Sequence, residues 1–196
     1  AAQVEPAVGA FQGQFHEDLR TRSVELTLQQ DLPGYAIGGL SVGEDFGTFR
    51  RILRHTAPQL PADRPRYVMG IGTPELMLEA VSAGIDLFDC VFATRVARNA
   101  TLFTTDGRIN LRNQRFTHDH GPLDPALPDQ FQQAVSRAYL RHLFVAGEIN
   151  AMRYASLHNL GFLQHLMDQI REAIRTNSLA AFRAGFLARY QGSDNG

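Results

Sequence analysis

Residues able to do chemistry occur at four places in the first half of the chain, each at the end of a short apolar run. They are Gln12-Gly13, Gly38-Gly39-Leu40, Met69-Gly70 and Asp89-Cys90. An amide, exposed backbone groups, a thioether and one carboxylate suit a planar, hydrogen-bonding heterocycle better than a phosphate or a metal ion. The sequence therefore predicts a pocket for a flat base with one acidic group beside it.

Asp89 is the main candidate for covalent chemistry. It lies between Leu87-Phe88 and Cys90-Val91-Phe92, an apolar context in which an unpaired carboxylate is costly. A carboxylate beside a sugar can attack the anomeric carbon and stabilise the positive charge that develops there. The alternative is an aspartate that caps a neighbouring loop. Cys90 is interpreted as a buried small hydrophobic residue, because nothing near it in the sequence would activate its thiol.

A local excess of basic residues follows Asp89. The segment from Arg95 to Arg115 contains five arginines and one acid, Asp106, although the net charge of the whole chain is -1. This density predicts a clamp on a polyanionic substrate, with a solvated hairpin as the alternative. All 19 basic residues are arginine. Either base and phosphate recognition or the codon bias of a GC-rich genome explains that composition.

Strand–helix units must position these residues. Strands are predicted over Ala7–Phe11, Tyr35–Leu40, Arg66–Ile71 and Leu87–Phe92, and helices over His16–Gln30, Phe46–Thr56 and Thr73–Gly84. Connections long enough for a helix imply a parallel sheet. Half of a (β/α)8 barrel and a doubly wound sheet both fit, and both place a site at the carboxyl ends of the strands.

The pattern changes in the second half of the chain. Leu102-Phe103 and Ile109-Asn110-Leu111 flank the turn Thr105-Asp106-Gly107, which predicts a β-hairpin. The sequence from Phe131 to Tyr190 is predicted to be helical. Breaks are predicted near His158–Gly161 and at Thr176–Ser178.

Composition bounds the kind of protein. The chain has 196 residues, 44% of them hydrophobic, enough for a sizeable core. No apolar run is long enough to span a bilayer, so no membrane partner is expected. The single cysteine excludes an intrachain disulfide and a multi-cysteine zinc site, and it is typical of a cytoplasmic protein. Because the chain starts at Ala1 and reaches a predicted strand almost at once, we expect it to be part of a longer protein.

Several segments closely resemble, in order, the consecutive motifs of queuine-type tRNA-guanine transglycosylases. They are Gln12-Gly13, Tyr35–Glu44, Pro65–Gly72, Gly84–Val91, Thr94-Arg95 with Arg98-Asn99, Gly121–Asp124 and Ser136–Leu140. Several long motifs in the right order are far more specific than any one of them. The resemblance covers nearly the whole chain.

The resemblance implies an α/β fold, the C-terminal half of a TIM (β/α)8 barrel with an appended β-hairpin and helical subdomain. The barrel half would cover residues 1–99, the hairpin and loop 100–130, the helical subdomain 131–190 and a frayed tail 191–196. The family's earlier barrel strands are absent, together with an aromatic residue that sandwiches the base and a second aspartate. The chain is therefore expected to be a fragment or to need a partner, because half a barrel leaves open sheet edges.

The activity that the resemblance implies is exchange of the wobble guanine of tRNA for a 7-deazaguanine, preQ1 or queuine, in queuosine biosynthesis. Asp89 would attack C1′ of the ribose and hold a covalent tRNA intermediate. Arg95, Arg98 and Arg112 would bind the anticodon loop, whose bases must leave their stack. The resemblance also implies a homodimer as one assembly. The residues it implies for base binding are Gln12, Gly39, Leu40, Glu44 and Met69.

The family's zinc site is expected to be absent. Aligning the chain on the Pro-Leu-Asp motif puts Leu127, Asp129 and Gln132 at the positions of the three cysteines, while His158 is kept. Leucine and glutamine cannot replace thiolates at a tetrahedral zinc site. We therefore predict no metal and no cofactor, with apolar packing holding the helical subdomain.

Two readings other than an active tRNA-guanine transglycosylase are open. One is a diverged, non-catalytic tRNA-binding paralogue or subunit, given the missing zinc ligands. The other is a relative that modifies another nucleic acid, such as DNA. Retention of Asp89 favours the enzyme, because a binding partner has no need of a costly carboxylate at that position.

Overall fold

The computed structural model describes residues 8–40 and 43–191, and the chain forms two compact units, Ala1–Cys90 and Val91–Gly196. Three parts of the predictions lie outside the described residues: Ala7 in the first strand, Ser41-Val42 in the second motif, and 192–196 of the tail. Among the described residues, no helix is both long and apolar enough to cross a membrane. The three-part division at residues 99 and 130 stays a prediction.

The first unit is built on a parallel sheet. Its strands are β1 (Val8–Phe11), β2 (Gly34–Ile37), β3 (Arg66–Val68) and β4 (Leu87–Phe88). They lie in the order β1-β2-β3-β4, and each pair is parallel. The predicted parallel sheet is confirmed. A doubly wound sheet contains a reversal of strand order, which is not present among these four strands, so the order favours the barrel alternative.

Helices connect the strands of this sheet. They are α1 (Glu17–Leu28), α2 (Phe46–Thr56) and α3 (Pro74–Ser82). Side-chain caps fix where two of them begin: Asp45 accepts from the Thr48 amide at 3.0 Å, and Thr73 accepts from the Leu76 amide at 3.4 Å. Pro74 at the first helical position fits because the missing N–H has no intrahelical acceptor there. The three predicted helices are confirmed: α2 has the predicted bounds, and α1 and α3 are shorter at both ends.

The fourth strand is shorter than predicted. Leu87–Phe92 was expected, but β4 ends at Phe88, so the prediction is wrong beyond that residue. β4 pairs only with β3 and lies at an edge of the described sheet. Because an edge strand is covered on one side only, Leu87 is 53% exposed. Asp89 is likewise exposed, and the expectation that it is buried in an apolar strand is wrong.

The second unit begins with α4 (Phe92–Ala97), followed by the predicted hairpin. Strands β5 (Thr101–Thr104) and β6 (Gly107–Asn110) pair in antiparallel fashion, which confirms the hairpin. Ala100 precedes β5 in the left-handed region, at φ 64°. A residue with a Cβ is strained in that conformation.

Three longer helices complete the second unit: α5 (Arg137–Ala146), α6 (Ile149–Arg175) and α7 (Leu179–Gln191). The predicted break at Thr176–Ser178 is confirmed. The break predicted near His158–Gly161 is wrong, because α6 continues through it. A glycine inside a helix costs only about 1 kcal/mol, and buried side chains in that turn offset the cost. His158 and Asn159 are both 0% exposed.

The core of the second unit is apolar and draws on its hairpin and helices. Leu102 and Leu111 from the hairpin region pack with Leu140 of α5 and Ala155 of α6, all fully buried. An aromatic series lies beside them. Its ring contacts run from Phe103 to Phe162, from Phe162 to Tyr190 and from Tyr190 to Phe186.

Candidate active site

Four of the chemically useful positions lie in one row across the sheet of the first unit. The strand-ending residues are in register: Phe11 pairs with Ile37, Ile37 with Val68, and Val68 with Phe88. The residue that follows each of them is therefore at the same edge of the sheet. These residues are Gln12, Gly38, Met69 and Asp89. The structure thus brings together the strand ends that the sequence singled out.

Asp89 is held by two hydrogen bonds to the same carboxylate oxygen. The Tyr67 hydroxyl donates to Oδ1 at 2.5 Å, and the Gly70 amide donates to Oδ1 at 3.1 Å. The other oxygen, Oδ2, accepts no hydrogen bond from another residue that the structure describes. The carboxylate is therefore fixed through one oxygen and has the other available for chemistry.

This geometry also sets the protonation states. The hydrogen bond from Tyr67, with a further one from the Gly70 amide, lowers the pKa of Asp89. The same bond to Asp89 raises the pKa of Tyr67 to about 12. At neutral pH Asp89 is therefore an anion and Tyr67 is a protonated donor. That combination suits a nucleophile that must be ionised and aimed.

The turn after β2 lies close to the Gln12 side chain, which follows β1. Gly39 has a φ of 64°, in the left-handed region that favours glycine. A Cβ at Gly39 would lie 2.9 Å from Gln12 Oε1, so a larger residue would displace the end of that side chain. Leu40 is buried, Met69 is half-buried and Gln12 is exposed. Of the predicted base-binding residues, Gln12 and Gly39 are therefore in direct proximity.

Arg20 is a residue of this region that the sequence analysis missed. It lies on α1 with 0% exposure. Its Nη2 donates to the carbonyl oxygens of Gly38 at 3.0 Å and Gly39 at 3.1 Å. Burial lowers the pKa of Arg20, and the charge of Glu44 opposes that shift. Glu44, predicted to adjust the nearby peptide, therefore acts on the same guanidinium.

Tyr67 was missed as well as Arg20, and only Tyr67 leaves a signal in the sequence. Alternation along a strand puts Tyr67 on the same face as Met69, so its hydroxyl belongs to the predicted pocket. Arg20 stands four positions before Val24, and these two are the buried residues of α1. Because Leu19 and Leu26 of the same helix are exposed, the apolar pattern of α1 does not mark Arg20 as buried.

The predicted tRNA-binding arginines belong to the second unit. Arg95 lies on α4 with its guanidinium 5.6 Å from the centroid of the Phe92 ring. Arg98 directly follows α4, and Arg112 follows β6. All three are exposed and therefore accessible to a polyanion. Their role stays a prediction.

The residues at the expected zinc positions do not fit a zinc ion. Leu127 is 2% exposed, and the Gln132 amide donates to its carbonyl oxygen. His158 donates from Nε2 to the Phe103 carbonyl at 2.8 Å, and burial lowers its pKa, so it is a neutral structural histidine. Asp129 is exposed. No group of three or more His, Cys, Asp or Glu side chains could hold a metal ion within the ranges 8–40 and 43–191.

We therefore expect the protein to fold without zinc. Purified full-length protein should carry well below one equivalent of zinc, measured by inductively coupled plasma mass spectrometry. Its thermal unfolding midpoint should be unchanged after EDTA treatment, since no ligand set depends on a metal. One tightly held equivalent, with a midpoint that falls in EDTA, would show this expectation to be wrong.

Comparison with known proteins shows which family the chain is similar to. The family model described as "Queuine tRNA-ribosyltransferase" matches residues 2–192. The chain is 47% identical over 182 residues to the queuine tRNA-ribosyltransferase of Bacillus subtilis (strain 168), covering 93% of this chain and 48% of the relative. It is 49% identical over 185 residues to that of Caldanaerobacter subterraneus subsp. tengcongensis, covering 94% and 49%.

A third relative, the queuine tRNA-ribosyltransferase of Solidesulfovibrio magneticus, is 48% identical over 182 residues, covering 93% of this chain and 49% of the relative. The chain thus spans about half the length of the curated relatives it matches. The family model, by contrast, matches almost every residue of the chain. The chain therefore belongs to the queuine tRNA-ribosyltransferase family.

Proposed function

We propose that this chain is the nucleophile-bearing half of a tRNA-guanine transglycosylase. The enzyme would replace the wobble guanine of tRNA with a 7-deazaguanine, preQ1 or queuine. The observation that carries the proposal is the row at the strand ends. It sets an ionised carboxylate with one unbonded oxygen beside an amide, a thioether and a glycine-rich turn. The four strands in sequential order would form half of a (β/α)8 barrel.

The chemistry is a double displacement at the ribose. Oδ2 of Asp89 attacks C1′, the C1′–N9 bond breaks, and its electron pair leaves with guanine, which takes up a proton. The incoming base then loses its N9 proton and attacks C1′ through N9. The C1′–Oδ2 bond breaks and the carboxylate returns. One proton is taken up and one released, so no oxidant or reductant is needed.

Recognition of the base follows from the surrounding groups. The Gln12 amide and the backbone N–H groups of Gly39 and Leu40 would bind the polar edge, and Met69 would pack on the face of the ring. Glu44, through its charge on Arg20, would set the turn. The exposed arginines of the second unit, Arg95, Arg98 and Arg112, would bind the anticodon-loop backbone.

The direct test is incorporation of radiolabelled guanine into unmodified tRNA by the full-length protein. Incorporation confined to the wobble position is the expected result. Binding of tRNA without incorporation would instead identify a non-catalytic tRNA-binding subunit. Incorporation into DNA or another RNA would identify a relative with a different nucleic-acid substrate.

Removing the hydroxyl that holds the nucleophile should slow the reaction. We expect Tyr67→Phe to lower kcat about ten-fold, the range of one hydrogen bond to a charged group. Because that bond lowers the pKa of Asp89, its loss raises the pKa, and the acid limb of the pH–rate profile should move to higher pH.

Tyr35→Phe is the matched control, the same change in the neighbouring strand at a residue that stacks on Phe11. It should leave kcat and the acid limb unchanged. An unchanged pH–rate profile in Tyr67→Phe would contradict the proposed positioning of Asp89.

A further inference from the structure

Arg20 is an unusual residue to find fully buried. A guanidinium removed from water is costly unless its donors are bonded and its charge is offset. Here three donor contacts reach backbone carbonyls: Nε to Gln14 at 2.6 Å, and Nη2 to Gly38 at 3.0 Å and Gly39 at 3.1 Å. All three acceptors lie in the two turns that follow β1 and β2, at the edge of the sheet where the candidate site lies.

The two contacts to the second turn determine where its N–H groups point. In an extended strand, successive carbonyls point in opposite directions. The left-handed φ of Gly39, 64°, rotates the second peptide so that both the Gly38 and the Gly39 carbonyls face Arg20. Because a trans peptide is planar, its N–H points away from its C=O. The N–H groups of Gly39 and Leu40 therefore point away from Arg20.

The N–H groups of Gly39 and Leu40 are the donors of this turn. Neither donates a hydrogen bond to an acceptor in the part of the chain that the structure describes. Adjacent N–H groups pointing the same way form a concave donor pair that suits a carbonyl or an anion. Of these, the 6-carbonyl oxygen is the acceptor that guanine and the 7-deazaguanines share.

We propose that Arg20 is a positioning residue for base selection: it holds the carbonyls of Gly38 and Gly39 so that the N–H groups of Gly39 and Leu40 face the 6-carbonyl oxygen of the base. The inference rests on the proposed function, because it takes the base to bind at this turn. It adds to that function a residue that does not touch the base itself and acts through the peptide groups of the turn.

The packing around Arg20 is built for this role. Gly13 has a φ of 143°, and a Cβ there would lie 2.8 Å from Arg20 Cγ and 3.0 Å from the Arg20 amide nitrogen. Only glycine therefore lets the first turn pass so close to α1. The guanidinium contacts the carbonyl oxygens of the second turn. The Gln12 side chain lies against Gly39.

The test compares Arg20→Lys and Arg20→Met with the same two changes at Arg22, which is exposed on the same helix. A lysine keeps the charge but has no planar fork to bond two carbonyls at once. Binding of guanine and of 2-aminopurine, which lacks the 6-carbonyl oxygen, is measured for each full-length variant by competition against radiolabelled guanine incorporation into tRNA. Folding is checked by circular dichroism and the thermal midpoint.

We expect Arg20 substitutions to weaken the binding of the base that carries the 6-carbonyl oxygen, and to affect the base without it much less. Arg20→Lys should weaken guanine binding about ten-fold, the range of one hydrogen bond to an acceptor, and change 2-aminopurine binding less than about two-fold. KM for tRNA should stay unchanged, and both Arg22 variants should match the wild type. If Arg20→Met does not fold, Arg20→Lys carries the comparison.

Two outcomes would overturn the inference while leaving the proposed function in place. Equal weakening of both bases would show that Arg20 only supports the fold, and unchanged guanine binding would show that it does not set the turn. A wild-type protein that incorporates no guanine would overturn the proposed function itself, and this inference with it.

Discussion

Asp89→Asn is expected to abolish base exchange, with a loss of at least about a thousand-fold in kcat, because an amide cannot replace a carboxylate nucleophile. Asparagine has nearly the same shape and keeps an oxygen that can accept from Tyr67 and Gly70. The group lost is the charged Oδ2, which accepts no hydrogen bond from another described residue of the wild type. The site should therefore keep its geometry and still bind tRNA.

Two measurements separate chemistry from binding in this variant. Guanine incorporation gives the rate, and denaturing gel electrophoresis detects a covalent adduct between the protein and tRNA. The wild type should form the adduct, and Asp89→Asn should not. Asp86→Asn is the matched control: it makes the same change three positions earlier, in a residue that accepts from the Arg66 amide at 2.8 Å. It should keep its activity. An Asp89→Asn rate within ten-fold of the wild type would rule out the nucleophile assignment.

The largest effect on stability is expected at Asn159 of α6. This side chain is fully buried and ties three segments of the second unit together. Its Oδ1 accepts from the Phe103 amide at 2.9 Å, and its Nδ2 donates to the carbonyls of Ala93 and Thr101, each at 3.0 Å. Truncation would leave buried backbone groups on the hairpin and on α4 without partners.

Asn159→Ala should therefore lower the free energy of unfolding by about 3–5 kcal/mol, since three backbone partners, two of them buried, each lose a bond. Urea denaturation measures the loss, and hydrogen exchange of the Phe103 amide reports it locally. Leu160→Ala is the control on the next position, where the side chain is 47% exposed. It should cost much less. A loss below about 1 kcal/mol for Asn159→Ala would mean that water or a rearranged backbone replaces these bonds.

His158, like Asn159, is held by a hydrogen bond between α6 and the hairpin. In the sequence, His158 is the one residue of the family's zinc site that is kept. In the fold its Nε2 bonds the Phe103 carbonyl, in the strand whose amide bonds Asn159. Consecutive residues of α6 thus anchor both polar groups of one residue of β5. The helix is continuous here because these bonds and the surrounding packing outweigh the local tendency of Asn and Gly to interrupt it.

The sequence by itself determined the family and the set of chemical groups. Motifs such as Tyr35–Glu44 and Gly84–Val91 are contiguous, so they can be read without the fold. Parallel strands also follow from local patterns, because apolar runs alternate with amphipathic stretches long enough to cross over. The convergence of Gln12, Met69 and Asp89 followed from the rule that such strands end at one edge.

Only the tertiary structure decided how those groups are used. That Tyr67 and Gly70 share one oxygen of Asp89 depends on contacts 22 and 19 residues apart in sequence. The reach of Arg20 to Gly38 and Gly39 spans 18 and 19 residues. Periodicity shows which face a residue occupies, but it does not show which atom lies opposite it across a turn or a neighbouring strand. The sequence marked Asp89 as the candidate nucleophile, whereas the hydrogen bonds that engage only its Oδ1 among the described residues depend on the fold.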